Sequence, residues 1–152
     1  MKGLIQRVSQ ASVVVGDEVI GEIAQGLLLF LGIERGDDTE SAHALCRKIL
    51  SYRVFPDPQG RMNHSLRDTG GALLVVSQFT LAADTRSGTR PGFSTAAPPE
   101  QAELLYGAFV DQARGVLADD RVACGQFGAD MKVALVNEGP VTFLLEAGGA
   151  TK

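Results

Sequence analysis

The first third of the chain alternates apolar and polar positions with the period of two that is typical of β-strands. Residues 2–8 predict one strand, and "ASVVVGDEVIGEI" predicts a hairpin that turns at Gly16-Asp17-Glu18. The next stretch, "GLLLFLGI", is apolar at nearly every position, which indicates a strand that is buried on both faces.

The spacing of apolar residues then changes to that of a helix. The first helix is predicted from an apolar stripe with spacings of three and four: Ala42, Leu45, Cys46, Ile49 and Leu50. Asp37 stands three residues before Glu40, the spacing of a capping box, so we expect the helix to open at that point. The apolar stripe is expected to pack on the sheet.

The middle of the chain combines a breaker-rich loop with a strong strand. "FPDPQGRMNHS" is polar and rich in proline and glycine, which predicts a loop or the tip of a long hairpin. "GALLVVSQFTLA" predicts a strand whose first half is entirely apolar and whose second half becomes polar. The polar half of this strand is a candidate location for a functional site.

A long polar loop, "ADTRSGTRPGFSTAAPPE", leads through Pro98-Pro99 into a second predicted helix. The expected apolar stripe of that helix is Leu104, Leu105, Ala108, Phe109, Val116 and Leu117. Three β-like segments close the chain, around 121–127, 131–137 and 141–146.

The order of these elements predicts the fold class. Strands, helix, strand, helix and strands follow one another without the regular alternation of a doubly wound sheet. We expect a mixed α/β protein in which residues 1–152 form a single domain, with a largely antiparallel, barrel-like sheet that carries two helices. A chain of 152 residues is long enough to bury about two thirds of its unfolded surface.

The last β-like segments are separated by an unusual interruption, in "LVNEGPVTF". Proline donates no hydrogen bond to a strand ladder, and glycine permits backbone angles that are closed to other residues. The Gly139-Pro140 pair therefore predicts either a plain turn or a segment whose backbone has a specific task.

Composition and charge narrow the function classes. The net charge of −4 argues against bulk electrostatic coating of nucleic acid, but leaves open the recognition of a short nucleic-acid end. The longest apolar run, Leu27–Leu31, is too short for a membrane span, and the N-terminus lacks a signal-peptide pattern, which predicts a cytoplasmic protein. Cys46 and Cys124 are far apart and form no CxxC motif, so we expect no metal and no cofactor.

The residues alone leave the chemistry open. The chain has no GxSxG, HExxH or Walker motif. Ser77 and Thr80 stand where a buried strand becomes polar, and they are either nucleophiles or hydroxyls that satisfy the backbone at a strand end. Arg86 and Arg90 lie in a glycine-containing loop that is either a phosphate clamp or a solvated surface loop.

Two motifs at matching positions change this balance. "SQFTL" at 77–81 and "NEGPVT" at 137–142, in a chain that begins "GLIQRVSQASVVV", resemble the D-aminoacyl-tRNA deacylase family, also called D-tyrosyl-tRNA deacylase. The resemblance covers essentially the whole chain and includes "SGTRPGF" and "FGADMKVALVNEGPVTF". The chain departs from the family pattern at Ser87 and Gly92, where Lys and Ser are usual, and at Glu138, where Asp is commoner.

This resemblance implies a cytoplasmic homodimer that hydrolyses the ester between a D-amino acid and the 3′ end of tRNA. It implies that Gly139-Pro140 is a cis peptide that projects into the active site of the partner. A rigid backbone placed where only an L side chain would point selects chirality by exclusion. Glycyl-tRNA, which has no side chain to exclude, is then expected to be hydrolysed as well.

The resemblance also implies roles for individual residues. The pocket would be lined by Ser77, Gln78, Phe79 and Thr80, and Met131 would pack against the base. The tRNA and the Gly-Pro loop would be held by Arg7, Arg86 and Arg90. The 2′-hydroxyl of the terminal adenosine would assist catalysis in place of a side-chain base. Two alternatives stay open: a hydrolase that uses Thr80 as a covalent nucleophile, and a binder of nucleic-acid ends without turnover.

Overall fold

The computed structural model describes residues 1–148, so the last four residues of the expected 1–152 domain lie outside the described residues. The strands are β1 (Lys2–Val15), β2 (Glu18–Ile23), β3 (Gly26–Gly32), β4 (Phe55–Pro56), β5 (Met62–His64), β6 (Ala72–Ser77), β7 (Val122–Cys124) and β8 (Lys132–Glu146). The α-helices are α1 (Thr39–Ser51) and α2 (Pro99–Leu117), and 3-10 turns occupy Phe79–Ala82 and Asp119–Arg121.

The main sheet has the order β2-β1-β3-β6-β7, with β8 paired along β1. Pairings of β1 with β2, β3 and β8 are antiparallel, whereas β3, β6 and β7 run parallel. The open side of β2 comes up against β7, since a side-chain carbon added at Gly21 would lie 2.7 Å from the carbonyl oxygen of Cys124. The expected mixed α/β, barrel-like fold with two helices is confirmed.

The apolar run of β3 is buried because both faces of the sheet are covered. Leu27, Leu29 and Leu31 belong to the core between the sheet and the two helices. Leu28, which points the other way, belongs to a second core inside the curved sheet. A strand alternates its side chains between two faces, so a strand between two cores has to be apolar throughout.

The first helix begins one residue later than its sequence pattern suggested. The N-cap is Asp38, whose carboxylate accepts a hydrogen bond from the Ser41 backbone at 2.9 Å, while the Ser41 hydroxyl accepts from the Asp38 backbone at 3.2 Å. These hydrogen bonds hold the pKa of Asp38 below its usual value. The expected Asp37/Glu40 capping box is therefore wrong, because Asp37 is buried against the Met1 ammonium at 2.8 Å. The predicted apolar stripe of α1 is buried as expected.

The second helix begins at Pro99, directly after the predicted Pro98-Pro99 pair. Its predicted stripe was partly wrong, because Leu104 and Val116 are 73% and 43% exposed. The face that packs is Ala102, Leu105, Tyr106, Phe109, Val110, Ala113 and Leu117. Within residues 1–148, no helix is long and apolar enough to cross a membrane.

Two predicted strand boundaries also differ. The strand predicted over 71–82 ends at Ser77, and the following residues form a 3-10 turn. The segments predicted at 131–137 and 141–146 are one continuous strand, β8, that passes through Gly139-Pro140. The predicted hairpin at 16–18 and the loop at 55–65, which folds as the short β4-β5 hairpin, are confirmed.

Candidate functional site

The candidate site lies where the parallel strands β3 and β6 end. Leu31 pairs with Ser77 in the parallel register, so the carboxyl ends of both strands reach the same edge of the sheet. The backbone amide of Gln78 still donates to the carbonyl of Leu31 at 2.8 Å, and the chain then turns into the 3-10 segment. In sheets with parallel strands, this edge is a common location for ligand sites.

A cavity of about 630 Å³ opens at this edge, within the size range of small-molecule sites. Its walls are the end of β3, the turn after β6, the start of α2 and the segment before β8. Most of the lining is apolar, and Ser77, Gln78 and Arg35 contribute its polar side chains. Met131 lines the cavity from the β8 side.

Two aromatic rings lie next to each other at this cavity. Phe79 and Phe93 have ring centroids 5.2 Å apart and are 63% and 41% exposed. A large apolar ring that remains this exposed beside a cavity offers a flat face to a ligand, and such faces stack on nucleobases.

The hydroxyl of Thr80 is exposed, and it accepts a hydrogen bond from the Gln78 side chain at 2.5 Å. Among residues 1–148, no histidine and no carboxylate lines the cavity. The same part of the chain contains no group of three His, Cys, Asp or Glu side chains able to hold a metal ion. The described lining of the cavity therefore offers neither a histidine nor a carboxylate as a general base.

The basic loop is closed on itself. Asp84 and Gly92 exchange two backbone hydrogen bonds, at 2.7 and 2.9 Å. The Arg86 guanidinium donates twice to the Asp84 carboxylate, with both distances 2.9 Å, and this contact lowers the pKa of Asp84 to about 2. Arg90 is exposed and forms no ion pair within the described residues. Neither arginine lines the cavity.

The Gly-Pro segment forms a wide bulge in β8. Asn137 pairs with Val8 and Thr142 pairs with Gln6, so residues 138–141 lie opposite the single residue Arg7. Arg7 donates from Nε to the carbonyl of Glu138 at 3.2 Å, and from Nη1 to the carbonyl of Val54 at 2.7 Å.

The same bulge is closed by its own side chains. The side-chain Oδ1 of Asn137 accepts from the Val141 backbone amide at 3.1 Å, and the side-chain Nδ2 of Asn137 donates to the Thr142 hydroxyl at 2.9 Å. The Gly139-Pro140 bond is cis, and Gly139 has φ +133°, in the region that favours glycine. The Asn-x-Gly-Pro-x-Thr spacing thus corresponds to one hydrogen-bonded unit.

The predicted site residues fall into three places. Ser77, Gln78, Phe79 and Met131 line the cavity, with Thr80 beside them. The second place is the bulge with Arg7, and the third is the loop with Arg86 and Arg90; neither reaches the cavity of the same chain among the residues described.

The cavity residues that the sequence reasoning missed include one charged and two aromatic side chains: Arg35, Phe93 and Phe127. Arg35 follows the end of β3, and the rule that parallel strands end at one edge could have found it. Phe93 and Phe127 lie in loops, where periodicity gives no signal.

The chain matches one protein family and its members along almost its whole length. Residues 4–146 match the family model described as D-Tyr-tRNA(Tyr) deacylase. A protein named D-aminoacyl-tRNA deacylase from Marinobacter nauticus is 67% identical over 148 residues, 97% of this chain and 95% of that protein. Another of the same name, from Stutzerimonas stutzeri, is 60% identical over 147 residues, which cover 97% of this chain and all of that protein.

Solved structures share the fold. One described as c-Myc DNA Unwinding Element Binding Protein has a TM-score of 0.94 and 41% sequence identity, with 98% of this chain and 100% of that chain covered. Another, described as a probable eukaryotic D-amino acid tRNA deacylase, has a TM-score of 0.84 at 17% identity, with 95% and 98% covered. At that identity, the second likeness concerns the fold alone.

Proposed function

The chain belongs to the D-Tyr-tRNA(Tyr) deacylase family, and we propose that the cavity at the carboxyl ends of β3 and β6 is its active site. The chain is a hydrolase that acts on aminoacyl-tRNA, as its relatives at 60 and 67% identity are named for D-aminoacyl-tRNA deacylation. The observation that supports this location is the apolar cavity whose wall includes Ser77, Gln78 and Phe79 of the "SQFTL" segment. In this proposal, residues 1–152 act as a single deacylase domain in the cytoplasm.

The substrate end fits the cavity by its chemistry. The adenine of the terminal nucleotide would stack on the Phe79 and Phe93 rings and pack against Met131, and the ester would lie along Ser77 and Gln78. Water attacks the ester carbonyl, and the bond between the carbonyl carbon and the ribose 3′ oxygen breaks. The 3′ oxygen takes one proton of the water to become a hydroxyl, the other proton passes to solvent, and the amino acid leaves as a carboxylate. The attack would be assisted by the 2′-hydroxyl of the same ribose, which is consistent with a described lining that contains neither histidine nor carboxylate.

Chiral selection is assigned to the bulge of a second copy of the chain. Gly139 and Pro140 do not line the cavity of their own chain, so a role at the ester requires a partner subunit. Their backbone carbonyls would occupy the space where an L side chain points, and would leave a D side chain or a hydrogen atom unhindered. This filter acts by exclusion and therefore passes glycine. Arg7 would hold the bulge in place through Glu138.

The body of the tRNA would contact the basic loop outside the cavity. Arg90 has no acidic partner among the described residues, whereas Arg86 forms an ion pair with Asp84. In this proposal, Arg90 therefore carries most of the phosphate attraction of the loop, and Arg86 joins it when Asp84 is displaced.

The proposal is tested by incubating the protein with D-tyrosyl-, L-tyrosyl- and glycyl-tRNA and measuring the free amino acid over time. We expect release from the D-tyrosyl and glycyl substrates and negligible release from L-tyrosyl-tRNA. Inertness toward glycyl-tRNA, with D-tyrosyl-tRNA cleaved, would show that the pocket grips a D side chain instead of excluding an L side chain.

The assisting group is tested on the substrate itself. Replacing the terminal adenosine with its 2′-deoxy form should abolish most of the deacylation, because the proposed assistance comes from the RNA. Undiminished hydrolysis of the 2′-deoxy substrate would contradict an RNA-assisted route and would favour Thr80 as a covalent nucleophile.

A second candidate is binding of a nucleic-acid end without turnover. It is favoured by one observation, the name of the 41% identical solved structure, which describes a DNA-binding protein. The two functions separate on turnover, since a binder retains labelled aminoacyl-tRNA intact whereas a deacylase releases the amino acid.

A further inference from the structure

Arg35 is the single charged side chain among the described residues that line the cavity. It lies just after β3, and its backbone is fixed on both sides. Its amide donates to the carbonyl of Thr95 at 3.1 Å, and its carbonyl accepts from the Gln101 side chain at 3.2 Å. Its Nε donates to the carbonyl of Ser94 at 2.5 Å.

The two terminal nitrogens of Arg35 remain available. Within residues 1–148 they form no hydrogen bond and no ion pair. The nearest acidic residues along the chain have other cationic partners: Glu34 lies 3.2 Å from the Met1 ammonium, and Asp37 lies 2.8 Å from it. The positive charge of Arg35 is therefore not matched by these neighbours, and Arg35 is an exposed residue of the cavity lining.

The location of Arg35 beside the Phe79 and Phe93 rings restricts what this arginine can bind. Ser94, which holds the Nε, is the neighbour of Phe93, and the Phe93 ring packs on Phe79. A guanidinium fork with two free donors matches a phosphate oxygen pair. In an aminoacyl-tRNA end the carboxyl group is esterified and the α-amino group is cationic or neutral, so the anions within reach are phosphodiesters.

We propose that Arg35 binds the phosphodiester on the 5′ side of the terminal adenosine, so that the cavity recognises a nucleotide and not a nucleoside alone. This inference rests on the proposed function and adds a phosphate subsite to it. Arg35 has no part in the chemistry of the ester; it sets the affinity and the register of the substrate end.

The experiment compares three small substrates that carry the same D-tyrosyl ester. These are 3′-D-tyrosyl-adenosine, D-tyrosyl-CpA with a natural phosphodiester, and D-tyrosyl-CpA with an uncharged methylphosphonate in its place. The last two differ by one negative charge at nearly constant shape. For the unmodified protein, we expect kcat/KM on the phosphodiester to exceed that on the methylphosphonate by about tenfold, the effect of one charge-assisted hydrogen bond.

The variant Arg35→Gln should bring that ratio close to one, because it removes the charge that distinguishes the two dinucleotides. The matched control is Arg47→Gln, which removes an exposed arginine of α1 outside the cavity lining and should keep the full ratio. Added salt should weaken the phosphodiester preference of the unmodified protein and leave the variant insensitive.

A purely structural role predicts a different result. If Arg35 only fastens the 93–96 segment through Ser94, Arg35→Gln should lower turnover of all three substrates equally and leave the ratio unchanged; that outcome overturns the inference. Arg35→Lys keeps the charge without the fork and should retain part of the ratio, which keeps the test decisive if the glutamine variant is unstable. If the unmodified protein cleaves both dinucleotides equally well, the phosphate subsite is refuted while the deacylase function stands. If the protein cleaves neither these three substrates nor D-tyrosyl-tRNA, the proposed function itself is refuted.

Discussion

At the scale of single residues, the hydrogen-bond partners of the polar side chains limit the chemistry that these side chains can perform. Thr80 has the hydroxyl that a nucleophile needs, but its hydrogen-bond partner is the Gln78 amide, which cannot accept a proton as a base does. Arg86 has the charge that a phosphate contact needs, but Asp84 already occupies it. Residue identity suggested a chemistry for each of them, and their partners restrict that chemistry.

Thr80→Val should retain most of the deacylation, because the proposal assigns the assistance to the RNA hydroxyl and leaves Thr80 a positioning role. The measurement is single-turnover release of D-tyrosine, with Thr39→Val, an exposed threonine at the start of α1, as the matched control. A loss beyond about a thousandfold would instead identify Thr80 as a covalent nucleophile.

Arg90→Gln should weaken tRNA binding and lower the slope of log affinity against log salt by about one, since one phosphate contact is lost. Arg86→Gln should change both quantities less, because its charge is paired. With the pKa of Asp84 at about 2, that carboxylate stays ionised and the pair persists at neutral pH. Filter-binding titrations at several salt concentrations measure both variants, and equal losses would show that tRNA displaces Asp84.

At the scale of elements, the main feature is that β8 has more residues than β1 where the two strands pair around Arg7. A bulge normally places two residues opposite one, whereas here residues 138–141 lie opposite Arg7 alone. The additional backbone is not disordered into a loop, because Asn137 and Arg7 satisfy its polar groups. The result is a hydrogen-bonded bulge within a strand that pairs with β1 on both sides of it, and strands position functional groups more accurately than loops do.

Arg7→Lys should lower turnover of D-tyrosyl-tRNA by about tenfold, because one ammonium cannot reach the Glu138 and Val54 carbonyls as the guanidinium fork does. We also expect the D-to-L preference to fall, since the bulge loses one of its fixed contacts. Steady-state kinetics on both enantiomers and a melting curve measure this, with Arg47→Lys on α1 as the control. A lower melting temperature with unchanged kinetics would reduce Arg7 to a structural tie.

At the scale of the whole molecule, β8 is a strand with one unpaired edge among the described residues. It pairs with β1 alone among the described strands, and several of its apolar side chains are exposed: Val136 at 47%, Phe143 at 37% and Leu144 at 51%. An unpaired edge with exposed apolar residues is a candidate surface for association. The same strand carries the bulge, so an association through β8 would bring the bulge to another subunit.

Sedimentation at micromolar concentration should therefore report a dimer, and we expect its interface to be isologous. Leu144→Glu should shift the protein toward monomer, because a buried unpaired carboxylate is costly, and deacylation should fall in parallel. Leu104→Glu on α2, where the leucine is 73% exposed, is the control and should leave both unchanged. A fully active monomer would remove the cross-subunit part of the proposal.

Local patterns in the sequence determined the mixed α/β class, the buried strand β3, the stripe of α1, the hairpin at Gly16 and the two motifs, because each depends on residues close together in the chain. The structure corrected what depends on distant partners: Asp37 is drawn away from the helix cap by the Met1 ammonium, and β8 runs through Gly-Pro because β1 pairs on both sides of it. The cavity was likewise decided by tertiary structure, since the parallel pairing of β3 with β6 places Arg35 and Ser77 at one edge. No short-range signal records which strand ends meet, because that choice is made by the shared burial of strands far apart in sequence.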